Sequence, residues 1–284
     1  MSPTGLPAKA PTTTGSSARL LFIGGGKMGR AIIEGLLAQG HDPARLTVID
    51  PALPDLGAVT VRPSLDEDTG SGSDPNSGPD GVVLAIKPQI MAEVLPALAQ
   101  RLCDRLLISI AAGKSLAFFQ GIFGAEARVV RAMPNLPAAI GAGMTGWIST
   151  PSLSAADRAL TQTILAATGQ AHELKTEDQI DAWTAIAGSG PAYVFHFLEC
   201  LSAAAQDLGF DPSLSDALAQ QTVLGAAQLA DQSPESFATL RENVTSPGGT
   251  TAAGLQHLSA ALAPLTQATA RAAYQRAKEL AEQS

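Results

Sequence analysis

A glycine-rich stretch near the start of the chain could bind phosphate. Residues Gly24-Gly25-Gly26-Lys27-Met28-Gly29 fit G-x-G-x-x-G, follow the apolar run LLFIG and open the helical pattern MGRAIIEGLLAQ. In this setting the first glycine permits a tight turn, the second lets the backbone approach a pyrophosphate, and the third allows close helix–strand packing. The alternative is a glycine turn without a ligand. The context favours dinucleotide binding, with predicted contacts at Gly24, Gly26, Lys27, Met28 and Gly29.

Asp50 ends the next apolar run, RLTVID, 21 residues after Gly29. An acidic residue at this place accepts hydrogen bonds from the adenosine ribose and is typical of NAD rather than NADP sites. Pro51, Ala52 and Leu53 follow it, so no arginine comes directly after. Arg62 could still reach a 2′-phosphate, and a strand-end carboxylate can also simply cap a turn. We predict that Asp50 binds the ribose, with the choice between NADH and NADPH left open.

Three later apolar runs end in residues that could face the same ligand, because ligands of doubly wound sheets lie at the carboxyl ends of strands. The stretches at these ends are LAIKPQ, SIAAG and RAMPN. Ordinary strand-to-helix corners with a solvated lysine are the alternative. The predicted cofactor contacts are Ala85, Lys87, Pro88, Ala111, Ala112, Gly113, Met133 and Asn135.

The elements that must position these residues alternate between strands and helices. Continuous apolar strands separated by helices predict a parallel sheet covered on both faces, which is a doubly wound α/β domain. The predicted strands are Leu20–Gly24, Arg45–Asp50, Gly81–Ile86, Leu106–Ile110 and Arg128–Ala132. The predicted helices are Met28–Gln39, Pro88–Arg101, Ser115–Phe123 and Ser154–Thr168. The acidic, low-complexity stretch Leu65–Asp80 is predicted to be a surface loop.

From Thr176 onward the sequence contains only helical patterns. The predicted helices are 176–187, 191–208, 213–231, 234–243, 251–262 and 264–282. They carry few charges, and helices this apolar need partners on more than one face, so this part is a candidate dimer interface. We expect a disordered tail at 1–18, a dinucleotide-binding domain at 19–174 and an all-α substrate-binding and dimerisation domain at 175–284.

Composition excludes several classes of protein. The chain has 284 residues, 45% hydrophobic and 15% charged, with a net charge of −8. A disordered chain would be more polar, and an acidic chain has no excess of cations for nucleic acid. The four histidines show no ligand spacing, the two cysteines are predicted to be buried, and no apolar run is long enough for a membrane span. We therefore expect no metal, no nucleic-acid partner, no membrane span and a cytoplasmic location.

Four further stretches lie outside a generic nucleotide-binding fold: Ser109–Gly113, Arg131–Pro137, Gly188–Tyr193 and Ser246–Thr251. With the glycine turn and the KPQ corner, they make the chain resemble the pyrroline-5-carboxylate reductase family from about Leu20 onward. VTSPGGTTAAGLQHL (Val244–Leu258) is the most specific part. The resemblance implies reduction of L-1-pyrroline-5-carboxylate to L-proline with NAD(P)H, the last step of proline biosynthesis. It also implies a Rossmann domain, a helical dimerisation domain, and homodimers that assemble to decamers in many members.

This chemistry needs a site for the substrate carboxylate and a hydroxyl near the ring nitrogen. The turn Ser246–Thr251 runs into a helix, so its backbone N–H groups can converge on an anion, although a plain helix start would look similar. The resemblance implies substrate contacts from Ser246, Gly248, Gly249, Thr250 and Thr251, and places Thr251 near the nitrogen as the catalytic residue. We expect Thr251 to orient the substrate or relay a proton, since its hydroxyl is a poor acid.

The resemblance gives roles to two further segments. Ser189, in the stretch GSGPAY, is expected to border the substrate at a helix start. Met133 and Asn135 are expected to lie along the nicotinamide, and Ala111–Gly113 let its ribose approach. Lys27 departs from the family, where asparagine is common, and the loop Leu65–Asp80 replaces a usual helix.

Two other interpretations of the sequence stay open. One is a related dehydrogenase or a reductase of another cyclic imine. A 3-hydroxy-acid dehydrogenase would carry a catalytic lysine in the helical domain, and no lysine occurs between 176 and 270. The other is a redox sensor that binds nucleotide without turnover, which would not need the SPGGTT or GSGPAY stretches.

Overall fold

The computed structural model describes residues 17–53, 56–64 and 78–282. The predicted tail 1–18 and the predicted loop Leu65–Asp80 lie almost entirely outside these ranges. The chain divides into two compact units. The helical unit comprises Gly190–Ala272, and the sheet unit comprises the described residues up to Ser189 together with those from Ala273 onward. This division falls later in the chain than the boundary predicted at 174–175, and it leaves the last helical turns with the sheet.

Among the described residues, eight strands form one sheet in the sheet unit: β1 (Leu20–Ile23), β2 (Leu46–Ile49), β3 (Thr60–Arg62), β4 (Gly81–Leu84), β5 (Leu106–Ser109), β6 (Val129–Met133), β7 (Gly143–Ser149) and β8 (Gly169–Glu173). Their order is β3-β2-β1-β4-β5-β6-β7-β8. The six strands from β3 to β6 in this order pair in parallel, β7 is antiparallel to β6, and β8 is parallel to β7. The predicted doubly wound Rossmann fold is therefore confirmed.

The helices of the sheet unit cover both faces of the sheet: α1 (Lys27–Ala38), α2 (Pro88–Leu102), α3 (Leu116–Phe123), α4 (Ala155–Ala166) and α5 (Glu177–Trp183). Successive strand residues point to opposite faces. Phe22 packs in a cluster with Ile32 of α1 and Ile164 of α4. Its neighbour Leu21 packs in a second cluster with Met91 of α2. This two-sided burial explains why the central strands appear in the sequence as continuous apolar runs.

Strands β3, β7 and β8 were not predicted. The pair β7 and β8 depends on glycine: Gly169 has φ +141°, and a Cβ there would overlap the Gly143 backbone. A Cβ on Gly146 would lie 2.6 Å from the Trp183 ring. Glycine-rich strands with polar residues carry a weak strand pattern, so this half of the sheet is hard to predict from sequence.

The helical unit contains α6 (Gly190–Asp207), α7 (Pro212–Gln232), α8 (Phe237–Asn243) and most of α9 (Thr250–Glu282). Between α6 and α7, the Ser202 hydroxyl donates to Asp216 Oδ1 at 2.6 Å. The predicted break between two helices at 263 is wrong, because α9 continues through Pro264. A proline removes one helical hydrogen bond and kinks a helix without always ending it. Many large apolar side chains of this unit are exposed, among them Phe195, Phe197 and Phe237.

The prediction that both cysteines are buried is wrong, because Cys103 and Cys200 are exposed. Cys103 follows the last residue of α2, where the chain turns out of the core. Its thiol lies 2.8 Å from Asp104 Oδ1, and this hydrogen bond to a carboxylate raises the pKa of the thiol. An apolar run in the sequence therefore does not imply that the residue at its end, here Cys103, is buried.

His41 lies three residues after the end of α1 and is only 3% exposed. Burial lowers its pKa, and the nearby Ala18 backbone and Asp42 only partly oppose this. A lowered pKa means that the unfolded chain binds more protons, so stability should fall as the pH drops below about 6.5. We expect His41→Leu to reduce this loss of unfolding free energy by up to about 1.4 kcal/mol per pH unit, measured by urea denaturation across the acid range. The same change at exposed His257 is the control, and equal pH profiles for wild type and His41→Leu would contradict the prediction.

Candidate active site

The three glycines of the G-x-G-x-x-G pattern lie in the turn between β1 and α1, and their surroundings differ. Gly24 has φ +96°, and a Cβ there would lie 2.8 Å from the Ala85 carbonyl oxygen. A Cβ on Gly29 would lie 3.0 Å from Ala85 Cβ. A Cβ on Gly26 would meet no described atom within 4 Å. The first and third glycines are therefore required by packing within the protein, whereas Gly26 faces open space that a ligand could fill.

Helix α1 begins in a way that suits an anion. Gly26 is its N-cap, no side chain caps it, and its first turn contains no acidic residue. The first helical bond runs from Arg30 N to Gly26 O at 2.9 Å. The N–H groups of Lys27, Met28 and Gly29 therefore precede the helical ladder and have no acceptor within it. Together with the helix dipole, they can bind a pyrophosphate.

Asp50 follows β2 and lies beside this turn. Its Oδ2 accepts a hydrogen bond from Gly25 N at 2.8 Å, and its Oδ1 accepts one from Ala52 N at 2.9 Å. Its own N–H donates to the Arg62 carbonyl at 3.0 Å. The carboxylate thus fixes the glycine turn, and it keeps acceptor capacity for a ribose, since it has about four lone-pair positions.

The other predicted cofactor residues lie at the same edge of the sheet, because β4, β5 and β6 run parallel to β1. Ala85 follows β4, exposed Lys87 is the N-cap of α2, and Pro88 is the first residue of that helix. A cleft at the ends of β5 and β6 brings together the predicted residues Ala111, Ala112, Gly113 and Met133 with Thr184, Ala277 and Leu280, which were not predicted.

A buried ion-pair cluster forms one side of this cleft and was also missed. Arg131, on β6, has a side chain that is 5% exposed. Its Nη1 lies 2.9 Å from Glu177 Oε1, and its Nη2 lies 3.0 Å from Asp181 Oδ1. Glu177 also accepts from Leu116 N at 3.0 Å. The cluster therefore ties β6, α5 and the start of α3 together around the cleft. An arginine inside an apolar strand was the available signal.

Asn135 is buried, and both ends of its side-chain amide bond to backbone. Its Nδ2 donates to the Ala187 carbonyl at 2.9 Å, and its Oδ1 accepts from Met144 N at 2.9 Å. Ala187 belongs to a π-helical turn, Thr184–Gly188, which leads into the GSGPAY stretch. Asn135 therefore holds that turn against the sheet edge, so its contact with a nicotinamide stays a prediction.

Ser189 lies at the end of the sheet unit. Its N–H donates to the Thr184 carbonyl at 2.8 Å, which closes the π-helical turn. A Cβ on the preceding Gly188 would lie 3.2 Å from Met133 Cε, so the start of GSGPAY lies against the last residue of β6, at the cofactor edge. Single π-helical turns are frequent at functional sites.

The predicted substrate motif opens α9 in the helical unit. Ser246 O accepts from Gly249 N at 3.0 Å, and Gly248 has φ +70°. Proline at the second position and glycine at the third fit a type II turn. The first helical bond runs from Ala253 N to Gly249 O at 3.2 Å, so the N–H groups of Thr250, Thr251 and Ala252 precede it. This turn therefore presents three N–H groups, with Thr251 exposed among them.

Comparison with known proteins gives the family. Residues 177–280 match the family model described as pyrroline-5-carboxylate reductase dimerisation, and residues 19–113 match one described as NADP oxidoreductase coenzyme F420-dependent. The pyrroline-5-carboxylate reductase of Pseudomonas aeruginosa is 39% identical over 270 residues, which cover 94% of this chain and 98% of that protein. This chain belongs to the pyrroline-5-carboxylate reductase family.

Solved structures of the pyrroline-5-carboxylate reductase family agree. The enzyme from Coxiella burnetii has a TM-score of 0.86 at 36% identity, covering 93% of this chain and 99% of that one. The pyrroline carboxylate reductase of Plasmodium falciparum, solved with NADP bound, has a TM-score of 0.80 at 30% identity, covering 95% and 100%. The family resemblance seen in the sequence motifs is thereby confirmed.

The described residues of this pyrroline-5-carboxylate reductase family member contain neither a group of metal ligands nor a membrane-spanning helix. In the ranges that the structure describes, no three histidine, cysteine or acidic side chains are grouped so that they could hold a metal ion. No helix within those ranges is long and apolar enough to cross a membrane.

Proposed function

We propose that this chain is a pyrroline-5-carboxylate reductase, which transfers a hydride from NAD(P)H to the C=N bond of L-1-pyrroline-5-carboxylate and yields L-proline. One observation carries the proposal: the described helix starts at Gly26 and at Gly249 each have glycine before the helix and present three N–H groups ahead of the first helical bond. One suits a pyrophosphate and the other a small carboxylate. Membership of the family supports the same activity.

The described residues fit a dinucleotide. At the glycine turn, packing within the protein accounts for Gly24 and Gly29 but leaves Gly26 facing open space. Gly26, Lys27, Met28 and Gly29 would hold the pyrophosphate, and Asp50 the adenosine ribose. Ala85, Lys87, Pro88, Ala111, Ala112, Gly113, Met133 and Asn135 would line the rest of the site. NAD(P)H supplies the hydride when it is bound.

The chain's own residues bind and orient the substrate. Ser246, Gly248, Gly249 and Thr250 hold the carboxylate through the turn and the first N–H groups of α9, where the helix dipole favours negative charge. Thr251 places its hydroxyl near the imine nitrogen, which must gain a proton as the carbon gains the hydride. Ser189 borders the same substrate. Small residues at the strand ends let the reacting carbon approach closely, so orientation supplies much of the rate.

Thr251→Ala tests this assignment. We expect kcat/KM for pyrroline-5-carboxylate to fall about tenfold to a hundredfold, because orientation of the imine nitrogen is lost. Thr251→Ser keeps the hydroxyl and should retain most of the activity. Thr251 is exposed, so thermal stability should not change in either variant. Steady-state kinetics and calorimetric melting measure both. Wild-type activity in Thr251→Ala, or an equal loss in Thr251→Ser, would contradict the role of the hydroxyl.

We also propose a homodimer, with further assembly to a decamer, and a cytoplasmic location. Exposed aromatic side chains on α6 and α8 support an interface between chains, since a folded monomer rarely leaves several such residues in water. The match of residues 177–280 to a dimerisation model supports association as well. Sedimentation velocity over a concentration series tests the assembly, and a monomer at all concentrations would contradict it.

A further inference from the structure

The short loop after β2 bears on cofactor choice, an inference that rests on the proposed function and its cofactor site. Asp50 is held from both oxygens, by Gly25 N at 2.8 Å and Ala52 N at 2.9 Å. Its side chain therefore has little freedom to swing away from the sheet edge. In doubly wound folds, the adenosine ribose lies at this strand end. A fixed carboxylate there accepts hydrogen bonds from a ribose diol and repels a phosphate on the same ring.

Neither Pro51 nor Ala52, the first two residues after Asp50, has an N–H free for a 2′-phosphate. Pro51 has no N–H, and the N–H of Ala52 is already donated to Asp50. Leu53 packs over the glycine turn so closely that a Cβ on Gly25 would overlap its side chain. Phosphate sites in such loops are built from backbone N–H groups or cationic side chains. The side chains of Asp50 and Leu53 instead present an acceptor and apolar surface.

Arg62 is the one cation in the described parts of residues 46–64, and it is the residue that could favour NADPH. It lies on β3 in register with Ile49, the residue before Asp50. Its carbonyl accepts the Asp50 N–H at 3.0 Å, and it takes part in a further contact of its own. Asp50 and Arg62 therefore favour different cofactors at the same edge of the sheet. Asp50 favours NADH, and Arg62 favours NADPH.

We propose that Asp50 makes this protein prefer NADH to NADPH. One relative was solved with NADP bound, so membership of the family does not by itself imply this preference. The Asp50 carboxylate disfavours NADPH because that cofactor carries an additional negatively charged phosphate. The carboxylate accepts from the ribose hydroxyls and excludes the added phosphate, while Pro51 and Ala52 supply no compensating backbone donor.

Equilibrium titration of NADH and NADPH, followed by nicotinamide fluorescence without substrate, tests the proposal. We expect wild type to bind NADPH at least about tenfold more weakly than NADH, because like charges meet at the ribose. In Asp50→Asn the difference should shrink to about threefold or less, by tighter binding of NADPH. Arg62→Gln is the comparison at the same sheet edge and should change the ratio less than Asp50→Asn does. Wild-type binding that does not favour NADH, or a ratio that changes at least as much in Arg62→Gln as in Asp50→Asn, would overturn the proposal.

A second measurement avoids the variants, because Asp50 also holds the glycine turn and Asp50→Asn could unfold it. Displacement of NADH from wild type by ADP-ribose and by its 2′-phosphorylated form should show the same preference for the unphosphorylated compound. Equal displacement, or stronger displacement by the phosphorylated form, would overturn the proposal. Both experiments measure binding alone. Failure to reduce pyrroline-5-carboxylate would therefore contradict the proposed function and leave this preference standing.

Discussion

Arg131→Met is expected to lower the free energy of unfolding by about 3–5 kcal/mol. The guanidinium is buried and bonds to Glu177 and Asp181, and the Asp181 side chain is only 10% exposed. Removing the arginine leaves that carboxylate buried without a counter-charge, and this cost is much larger than the net value of the pair itself. Because Arg131 lines the cleft beside Met133, we also expect weaker cofactor binding in any fraction that folds.

Urea denaturation of three variants measures this effect. Arg158→Met makes the same substitution in an exposed pair with Glu173 and should cost less than about 1 kcal/mol. The double variant Arg131→Met with Asp181→Leu should recover part of the loss, since apolar replacements of buried pairs are often neutral. Equal losses in Arg131→Met and Arg158→Met would show that burial of the cluster does not determine its energy.

Gly26→Ala is expected to weaken NAD(P)H binding by about tenfold to a hundredfold, or about 1.4–2.7 kcal/mol. The backbone at Gly26 has φ −62°, which any residue adopts, and a Cβ there meets no described atom within 4 Å. The fold should therefore tolerate the methyl group, apart from a few tenths of a kcal/mol for the poorer N-cap. A bound pyrophosphate would not tolerate it, because it needs the backbone at close range.

The matched control is Gly121→Ala, in α3, where a Cβ also meets no described atom within 4 Å. That change should leave cofactor binding as in wild type and raise stability by roughly 0.5–1 kcal/mol, because alanine is favoured inside helices. Calorimetric titration with NADH and thermal melting give both quantities. Wild-type affinity in Gly26→Ala would mean that the backbone of the glycine turn does not contact the cofactor.

The central part of the sheet could be predicted from sequence because its strands are buried on both faces. Leu20–Ile23 and Gly81–Leu84 are fully buried and form uninterrupted apolar runs in the sequence. The glycine turn could also be predicted, because it lies between such a strand and a helix, and this is the context that its pattern requires. Ser154, where the sequence predicts a helix to begin, caps α4, and its hydroxyl accepts from Asp157 N in a capping box.

The parts of the fold and of the candidate site that could not be predicted depend on contacts between residues far apart in the chain. Glu177 and Asp181 follow Arg131 by 46 and 50 residues, so only the fold of α5 onto β6 shows that they neutralise it. Asn135 was predicted as a ligand contact, yet its amide bonds to backbone of β7 and of the π-helical turn. The pair β7 and β8 depends on Gly143 and Gly169, because the two backbones approach each other too closely for a Cβ. This requirement leaves no strand pattern in the sequence.

One measurement tests the central claim most directly: NADH or NADPH oxidation by the purified protein with L-1-pyrroline-5-carboxylate, followed by the absorbance of the reduced nicotinamide. We expect oxidation that requires the substrate, forms L-proline in equal amount, and is faster than with the six-membered cyclic imine analogue. Cofactor binding without oxidation of either nucleotide, or faster reduction of the six-membered imine, would contradict the assignment of this protein as a pyrroline-5-carboxylate reductase.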